Sequence, residues 1–174
     1  YTSGSTGQPK GVGMPHAGLR NLLAWHGEAH PDQGDTLYRT AVGFDVGVQE
    51  LWSTLLLGAR LILVPAEAQR NMSVLAHVPE DVSASLFGSQ SVLEMIAEEL
   101  DCAERLLHFG TVMQAGEALR LRSGVGPLLE QARDVRNHYG PTESHVVTAW
   151  QAPDVTDPRD VPIGSPIFNT QMHV

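Results

Sequence analysis

Apolar positions along the chain follow two spacings, one typical of helices and one typical of strands. Apolar residues recur at three- and four-residue intervals in three segments: 15–27, 48–56 and 89–100. Short apolar runs bounded by turn residues indicate strands at 36–42, 60–64, 82–87, 106–113 and 135–139. Two further segments, 72–78 and 117–133, are wholly or partly helical in pattern. This alternation predicts an α/β fold, a mainly parallel sheet with right-handed crossovers and helices on its faces.

Composition narrows the possible functions. The chain has 174 residues, 42% of them hydrophobic, enough for one sizeable core. A formal charge of −9 argues against a nucleic-acid-binding surface, which needs clustered basic residues. No apolar run approaches the roughly 18 residues that span a bilayer, and the N-terminus lacks signal-peptide character. We therefore expect a soluble, cytoplasmic protein that binds neither nucleic acid nor membrane.

Two classes of site find little support in the sequence. Cys102 is the only cysteine, so this chain cannot hold an internal disulfide or a cysteine-rich metal site. His26 and His30 are four residues apart, but no third ligand follows at a recognised metal-site spacing. No Gly-x-Ser-x-Gly elbow occurs, which argues against a serine hydrolase.

The first loop, YTSGSTGQPKG over residues 1–11, has the composition of a phosphate-binding loop. Its glycines allow the backbone to present N–H groups inward, its hydroxyls add donors, and Lys10 supplies a positive charge. A flexible Gly/Ser linker is the alternative interpretation. The loop over residues 1–11 is not a Walker A loop, because Lys10 lies between Pro9 and Gly11 and does not begin a helix.

Two loops expected at the carboxyl edge of the sheet, where open α/β sheets bind ligands, carry further candidate groups. Asp45 lies at a strand-to-helix junction, where its carboxylate either caps the helix or awaits a cation. The segment NHYGPTES follows a strand and turns sharply at Gly-Pro. There Tyr139 could stack on a base, Thr142 could donate to a phosphate, and Glu143 could hold a hard cation. On composition alone this second loop is only a turn, and Gly116-Glu117 adds a third loop at the same edge.

Together these motifs resemble the adenylation domains of nonribosomal peptide synthetases, in the superfamily of adenylate-forming enzymes. The resemblance runs in order through YTSGSTGQPKGV, FDVGVQELW, AGEAL, NHYGPTES and IGSPIFNTQMHV. Gly47 is a departure, since the family usually has serine or alanine there. The resemblance implies the large N-terminal core of an adenylate-forming enzyme. It also implies an amino-acid-activating ligase that uses ATP and Mg²⁺ and transfers the acyl group to the phosphopantetheine of a carrier domain.

The matched motifs also imply individual roles. Those implied for nucleotide binding are Thr2, Ser3, Gly4, Ser5, Thr6, Gly7, Lys10, Gly116, Glu117, Asn137, Tyr139, Gly140 and Thr142. Lys10, Thr142 and Glu143 are the implied catalytic residues, with Glu143 as the Mg²⁺ ligand. Asp45 is implied to pair with the α-ammonium group of the amino acid.

The resemblance further implies a substrate. The implied specificity positions are Asp45, Val46, Gln49, Phe87, Met113, Ala115, His138, Val146 and Val147. Phe87 is placed only by its distance from the helix that follows it. Read in order, these residues resemble the family's proline-type pattern, with Met113 where isoleucine or leucine is more usual. Because methionine adapts to irregular space, a ring-substituted proline is also expected to fit.

The motifs span only part of such a domain. Residues 1–174 are expected to be a partial adenylation domain that stops before the sixth core motif, with the C-terminal subdomain absent. Alone, this segment is expected to be inactive and to leave the apolar face around Trp52 and Leu55 poorly covered. Carrier and condensation domains of the same assembly line are the implied partners. An acyl-CoA synthetase or aryl-acid ligase, and a non-catalytic nucleotide-binding module, remain the alternatives.

Overall fold

A computed structural model describes residues 2–3, 7–65, 83–102, 108–121, 124–152 and 161–173. The helices are α1 (His16–Ala29), α2 (Asp45–Leu56), α3 (Gln90–Cys102) and α4 (Val125–Glu130). The first strands are β1 (Thr2–Ser3), β2 (Pro9–Lys10), β3 (Thr36–Tyr38), β4 (Leu61–Leu63) and β5 (Ser85–Gly88). They are followed by β6 (Phe109–Gln114), β7 (Ala132–Tyr139), β8 (Thr148–Gln151) and β9 (Ser165–Pro166).

Seven of these strands form one sheet in the order β4-β3-β5-β6-β7-β8-β9. From β4 to β7 every pairing is parallel, whereas β8 and β9 add on in antiparallel orientation. Strands β1 and β2 form a separate antiparallel pair. The predicted α/β class with a mainly parallel sheet is therefore confirmed.

The sheet is packed on both faces, as two adjacent residues of β5 show. Successive strand residues point to opposite faces. Leu86 joins an apolar cluster with Leu93 and Ile96 of α3, all with no exposed surface. The next residue, Phe87, instead stacks against the ring of His26 in α1. The central strands are thus buried from both sides, which leaves their carboxyl ends as the open region of the sheet.

Some predicted boundaries differ from those in the structure. The strand predicted over 36–42 ends at Tyr38, because the backbone N–H groups of Arg39 and Thr40 donate to the Glu50 carboxylate and not to a neighbouring strand. Within 117–133, α4 is the helical part. The helix predicted over 72–78 lies outside the described residues.

Helix α2 turns a polar face to the interior. Its buried residues include Gln49, Glu50, Ser53 and Thr54. Trp52 and Leu55 on the predicted apolar stripe are 46% and 47% exposed, so the expectation of a poorly covered face is met.

A network of hydrogen bonds offsets the cost of burying these polar groups. Gln33 Nε2 donates to the hydroxyls of Thr36 and Thr54, at 2.8 and 3.1 Å. The Gln33 carbonyl oxygen Oε1 in turn bonds to Nε2 of His26. The second nitrogen of that ring, Nδ1, lies 3.1 Å from Nε2 of Gln49. The network therefore joins α1 and α2 to the first residue of β3.

Three imidazoles and one indole pack together beside this network. The ring centroids of His26 and His30 are 4.6 Å apart, those of His30 and His138 are 5.6 Å apart, and Trp25 lies against His138 at 5.4 Å. Burial lowers the pKa of His26 to about 4, of His138 to about 3 and of His30 to about 2. All three rings are consequently neutral in the folded protein. His30 is the extreme case, and neither of its ring nitrogens has a hydrogen-bond partner among the described residues.

No helix among the described residues combines the length and the apolar character needed to cross a membrane.

We predict that the folded state loses stability steeply in mild acid. In the unfolded chain histidines bind protons near pH 6.5, but the three buried rings do so only at about pH 4 or below. Between these limits the unfolded state binds more protons, so the free energy of unfolding falls as pH falls. Each ring contributes a slope of up to about 1.4 kcal/mol per pH unit.

His30→Leu tests this dependence, because it removes one of the three rings and an unpartnered polar group together. Urea unfolding followed by tryptophan fluorescence at pH 7.5, 6.0 and 5.0 should show a slope smaller by about one proton. An unchanged slope would contradict the prediction.

Candidate functional site

A cavity of about 760 Å³ opens at the carboxyl edge of the sheet, within the usual range for small-molecule sites. Its wall is built from the segments that follow β3, β5, β6 and β7 and from the first turns of α2. The sequence-predicted site residues on this wall are Asp45, Val46, Gln49, Ala115, Gly116, Glu117, His138, Gly140, Thr142 and Val146. The motifs predicted to meet at one sheet edge are therefore brought together there.

The buried carboxylate of Glu50 fixes the segment that carries Asp45. It accepts the N–H groups of Arg39 and Thr40, both at 3.1 Å, just after β3 ends. Burial raises the pKa of Glu50, and the hydrogen bonds from this segment oppose that effect. Helix α2 then begins at Asp45, with Phe44 in the N-cap position.

The carboxylate of Asp45 has one oxygen that is not used by the protein. Oδ1 accepts the N–H of Val46 at 2.9 Å, so the side chain satisfies one donor of the first helical turn without being the N-cap residue. Oδ2 makes no hydrogen bond or ion pair within the described part of the chain. The interaction with the helix end thus accounts for Oδ1, and Oδ2 is available to a ligand in the cavity.

The loop after β6 is held by its own side chains. Gln114 Nε2 donates to the carbonyl of Glu117 at 2.6 Å. The Glu117 carboxylate accepts the N–H of Ser91 at 2.8 Å and its hydroxyl at 2.9 Å, which ties the loop to the start of α3. Gly116 has φ +88°, a left-handed conformation that glycine adopts without steric cost. The backbone around Gly116 is therefore presented to the cavity in a fixed shape.

The loop after β7 depends on a close backbone contact. A Cβ built on Gly140 would overlap the carbonyl oxygen of His145 and lie 2.9 Å from the Cα of Val146. Val147 N–H donates to the Tyr139 carbonyl at 2.8 Å and closes the loop. Within it, Thr142 is half-buried at the cavity wall and Glu143 is exposed.

Two charged or titratable residues on the wall were not predicted from the sequence. Arg39 has a buried Nε with no hydrogen-bond partner in the described ranges, and burial lowers the pKa of its guanidinium. His145 is buried at 5% exposure with φ 59°, and burial lowers its pKa while the nearby Asp45 carboxylate opposes that shift. Ser89 and Val92 were also missed, although the edge rule that located Gly116 applies equally to the end of β5. No signal in the sequence singled out His145.

Several predicted pocket residues are not among the described residues that line the cavity. Phe87 and Met113 are each 1% exposed, and Val147 is half-buried. The Asn137 amide donates to the carbonyl of Pro162 at 2.8 Å, whereas Tyr139 is 46% exposed. Their predicted contacts with nucleotide and amino acid stay predictions.

The phosphate-loop motif forms the β1–β2 hairpin, in which Thr2 pairs with Lys10 and Ser3 with Pro9. Lys10 and Gly7 are exposed, and no described residue of the hairpin lines the cavity. The predicted residues Gly4, Ser5 and Thr6 lie outside the described part of the chain.

The carboxylates described at this edge of the sheet could bind Mg²⁺ only together with phosphate oxygens of a substrate. Across the described ranges, no three histidine, cysteine, aspartate or glutamate side chains converge as metal ligands. Mg²⁺ is commonly held by one or two carboxylates together with phosphate oxygens of the substrate. The exposed Glu143, next to Thr142 on the cavity wall, fits that manner of binding.

A family model described as AMP-binding enzyme matches residues 1–174. The chain belongs to the family of AMP-binding enzymes. This member is 36% identical to tyrocidine synthase 2 of Brevibacillus parabrevis over 187 residues, a match that covers 100% of this chain and 5% of that protein. The predicted resemblance to nonribosomal peptide synthetases is thereby confirmed.

Solved structures agree with this family. The adenylation domain AlmE of Vibrio cholerae, in complex with glycyl-adenosine-5'-phosphate, superposes with a TM-score of 0.78 at 24% identity, covering 95% of this chain and 32% of that one. NpsA-ThdA, an artificially fused adenylation-PCP di-domain from Klebsiella oxytoca, gives a TM-score of 0.75 at 25% identity, covering 96% of this chain and 34% of that one. The fold of this AMP-binding family member is thus that of adenylation domains.

We predict that Gly140→Ala destabilises the loop after β7 at the edge of the cavity. The added methyl group must displace the backbone of His145 and Val146, and such overpacking costs about 1–3 kcal/mol. Chemical denaturation and AMP titration measure the effect. Gly43→Ala is the matched control, because nothing lies within 4 Å of its Cβ position. Equal stability and equal AMP affinity of the two variants would refute this account of Gly140.

Proposed function

We propose that this chain forms most of the substrate pocket of an adenylation domain that activates an amino acid with ATP for nonribosomal peptide synthesis. The observation that carries the proposal is Asp45, whose free carboxylate oxygen shares one cavity with Gly116 and Thr142 of the nucleotide motifs. A carboxylate there provides the counter-charge for an α-ammonium group. Acyl and aryl acids have no ammonium group. A function as a ligase for those acids would therefore not explain a carboxylate at position 45.

In the proposed reaction, a carboxylate oxygen of the amino acid attacks the α-phosphorus of ATP. The bond from that phosphorus to the bridging oxygen breaks, and pyrophosphate leaves with the electron pair. No protein nucleophile is needed, since such phosphoryl chemistry depends on positioning and charge stabilisation. Thr142 would donate to the α-phosphate, and Lys10 with the hydroxyls of the first loop would hold the pyrophosphate.

Mg²⁺ bound by Glu143 would supply charge neutralisation at the phosphates. In the second step the phosphopantetheine thiolate of a carrier domain attacks the acyl carbon and AMP leaves, which produces the thioester. NpsA-ThdA, in which an adenylation domain is artificially fused to a PCP domain, supports a carrier partner. A condensation domain of the same assembly line would then use that thioester.

The extent of the matches supports a further part of the proposal. Because this chain covers only 32% of AlmE, we propose that residues 1–174 are a partial adenylation domain. The C-terminal subdomain implied by the family resemblance would complete the reaction. Residues 1–174 expressed alone should therefore give weak or no exchange in the assay described below.

Proline, or a ring-substituted proline, is the proposed amino acid. Val46 and Val146 provide apolar surface on the cavity wall, and Gln49 is buried with its amide committed to His26. His138 on the same wall is neutral, because burial lowers the pKa of its ring. These groups suit a compact, uncharged side chain.

We predict that Asp45→Ala lowers kcat/KM for the amino acid roughly a thousandfold. Removing one partner of a buried ion pair typically costs about 3–5 kcal/mol. Initial rates at varied amino acid and ATP separate the two substrates, and KM for ATP should change little. Asp45→Asn is the matched control, since it keeps the shape and the bond to Val46 but removes the charge, and it should be nearly as impaired. Normal amino-acid kinetics in both variants would reduce Asp45 to a helix-terminal residue.

We predict that proline or a ring-substituted proline gives the fastest amino-acid-dependent exchange of pyrophosphate into ATP. The assay uses the adenylation domain that carries this sequence with a panel of amino acids. A primary amino acid such as valine or phenylalanine in first place would make the specificity assignment wrong while leaving the function intact. Absence of exchange with every amino acid would make the proposed function itself wrong.

A further inference from the structure

His145 is a cavity residue to which no role has yet been given. It follows the Gly140–Thr142 turn, is 5% exposed and lines the same cavity as Asp45. Its backbone adopts φ 59°, a left-handed conformation that is uncommon for residues other than glycine. Such a conformation persists only where the surroundings enforce it. Here the close approach to Gly140 and the bond from Val147 N–H to the Tyr139 carbonyl fix the loop on both sides.

The imidazole of His145 is buried without being used by the fold. Within the described ranges neither ring nitrogen of His145 makes a hydrogen bond. The ring nitrogens of His26, in contrast, bond to Gln33 and Gln49. The other ionisable side chains on the wall are Arg39, Glu117 and His138. Glu117 is committed to Ser91, whereas the charge that acts on His145 is that of Asp45.

Asp45 and His145 therefore line one cavity, and no ion pair joins them in the part of the chain that the structure describes. Asp45 Oδ2 is a free anionic acceptor, and a neutral imidazole has one nitrogen that accepts a hydrogen bond. A primary ammonium group carries three N–H bonds and a secondary one carries two. One carboxylate oxygen and one imidazole nitrogen on the same wall form a matched pair of acceptors for either group.

We propose that His145 is a second hydrogen-bond acceptor for the α-ammonium group of the substrate, beside Asp45. This inference rests on the proposed function and adds a substrate-binding residue to it. Its consequence is discrimination: a ligand that lacks the amino group leaves two acceptors on the cavity wall unpaired, and sites of this kind reject such analogues strongly. His145 thus helps to restrict the cavity to amino acids.

Two substitutions separate the acceptor from the backbone conformation. Glycine and asparagine both tolerate φ near +59°, but only the asparagine side chain retains an acceptor. In the adenylation domain that carries this sequence, at pH 8, His145→Gly should raise KM for the amino acid roughly ten- to a hundredfold, the range for a hydrogen bond to a charged group. KM for ATP should stay within about twofold. His145→Asn should recover most of the loss.

The decisive readout is selectivity against an isostere without the amino nitrogen, such as cyclopentanecarboxylate where the substrate is proline. His145→Gly should weaken the binding of the amino acid. It should leave competitive inhibition by the isostere unchanged. Equal weakening of both ligands, or no rescue by His145→Asn, would mean that His145 only shapes the pocket and would overturn the inference. Wild-type kinetics in both variants would also overturn the inference. If the wild-type domain shows no pyrophosphate exchange with any amino acid, the proposed function itself is wrong.

If the glycine variant does not fold, a measurement on the wild-type domain tests the same point. The ¹⁵N chemical shifts of the His145 ring are followed during titration with the amino acid and with the isostere. A change in one ring nitrogen produced by the amino acid alone is the expected result. Identical responses to both ligands, or none to either, would contradict the assignment.

Discussion

The site depends on one buried carboxylate. Glu50 lies inside α2 with no exposed surface, and it is stabilised there by the N–H groups of Arg39 and Thr40. Those two donors would otherwise extend β3, so the same bonds that satisfy the carboxylate also end the strand. The chain then crosses the open end of the sheet and enters α2 at Asp45. The position of Asp45 on the cavity wall therefore follows from the need to hydrogen-bond Glu50.

The floor of this region is polar where most protein interiors are apolar. The amides of Gln33 and Gln49 hold His26 between them, and the neutral rings of His30 and His138 pack beside it. A bonded polar network has fewer acceptable arrangements than an apolar core, because each group must keep its partner. The Gln49 side chain, bonded to His26, is consequently held in one orientation on the cavity wall.

The fold could be predicted from apolar spacing, since alternating strand and helix periods lead to parallel strands joined by helices. The loops could be predicted as well, because Gly116, Thr142 and Asp45 all follow strands that end at one edge. Three features could not be predicted. The buried face of α2 is polar, which inverts the rule that apolar stripes face inward, and the partners of Glu50 are backbone groups that leave no mark in the sequence. The orientation of His145 depends on a left-handed backbone angle that composition does not encode.

The two edges of the main sheet differ in their capacity to accept another strand. At one edge, β9 is two residues long and contains Pro166, which has no N–H to donate. At the other edge of the described sheet, β4 is the apolar segment Leu61–Leu63, and the side chain of Leu63 is 71% exposed. Short length and proline both limit the pairing of an edge with a further strand. The described sheet is therefore protected at β9 by Pro166, whereas at β4 it is protected by the strand's length of three residues.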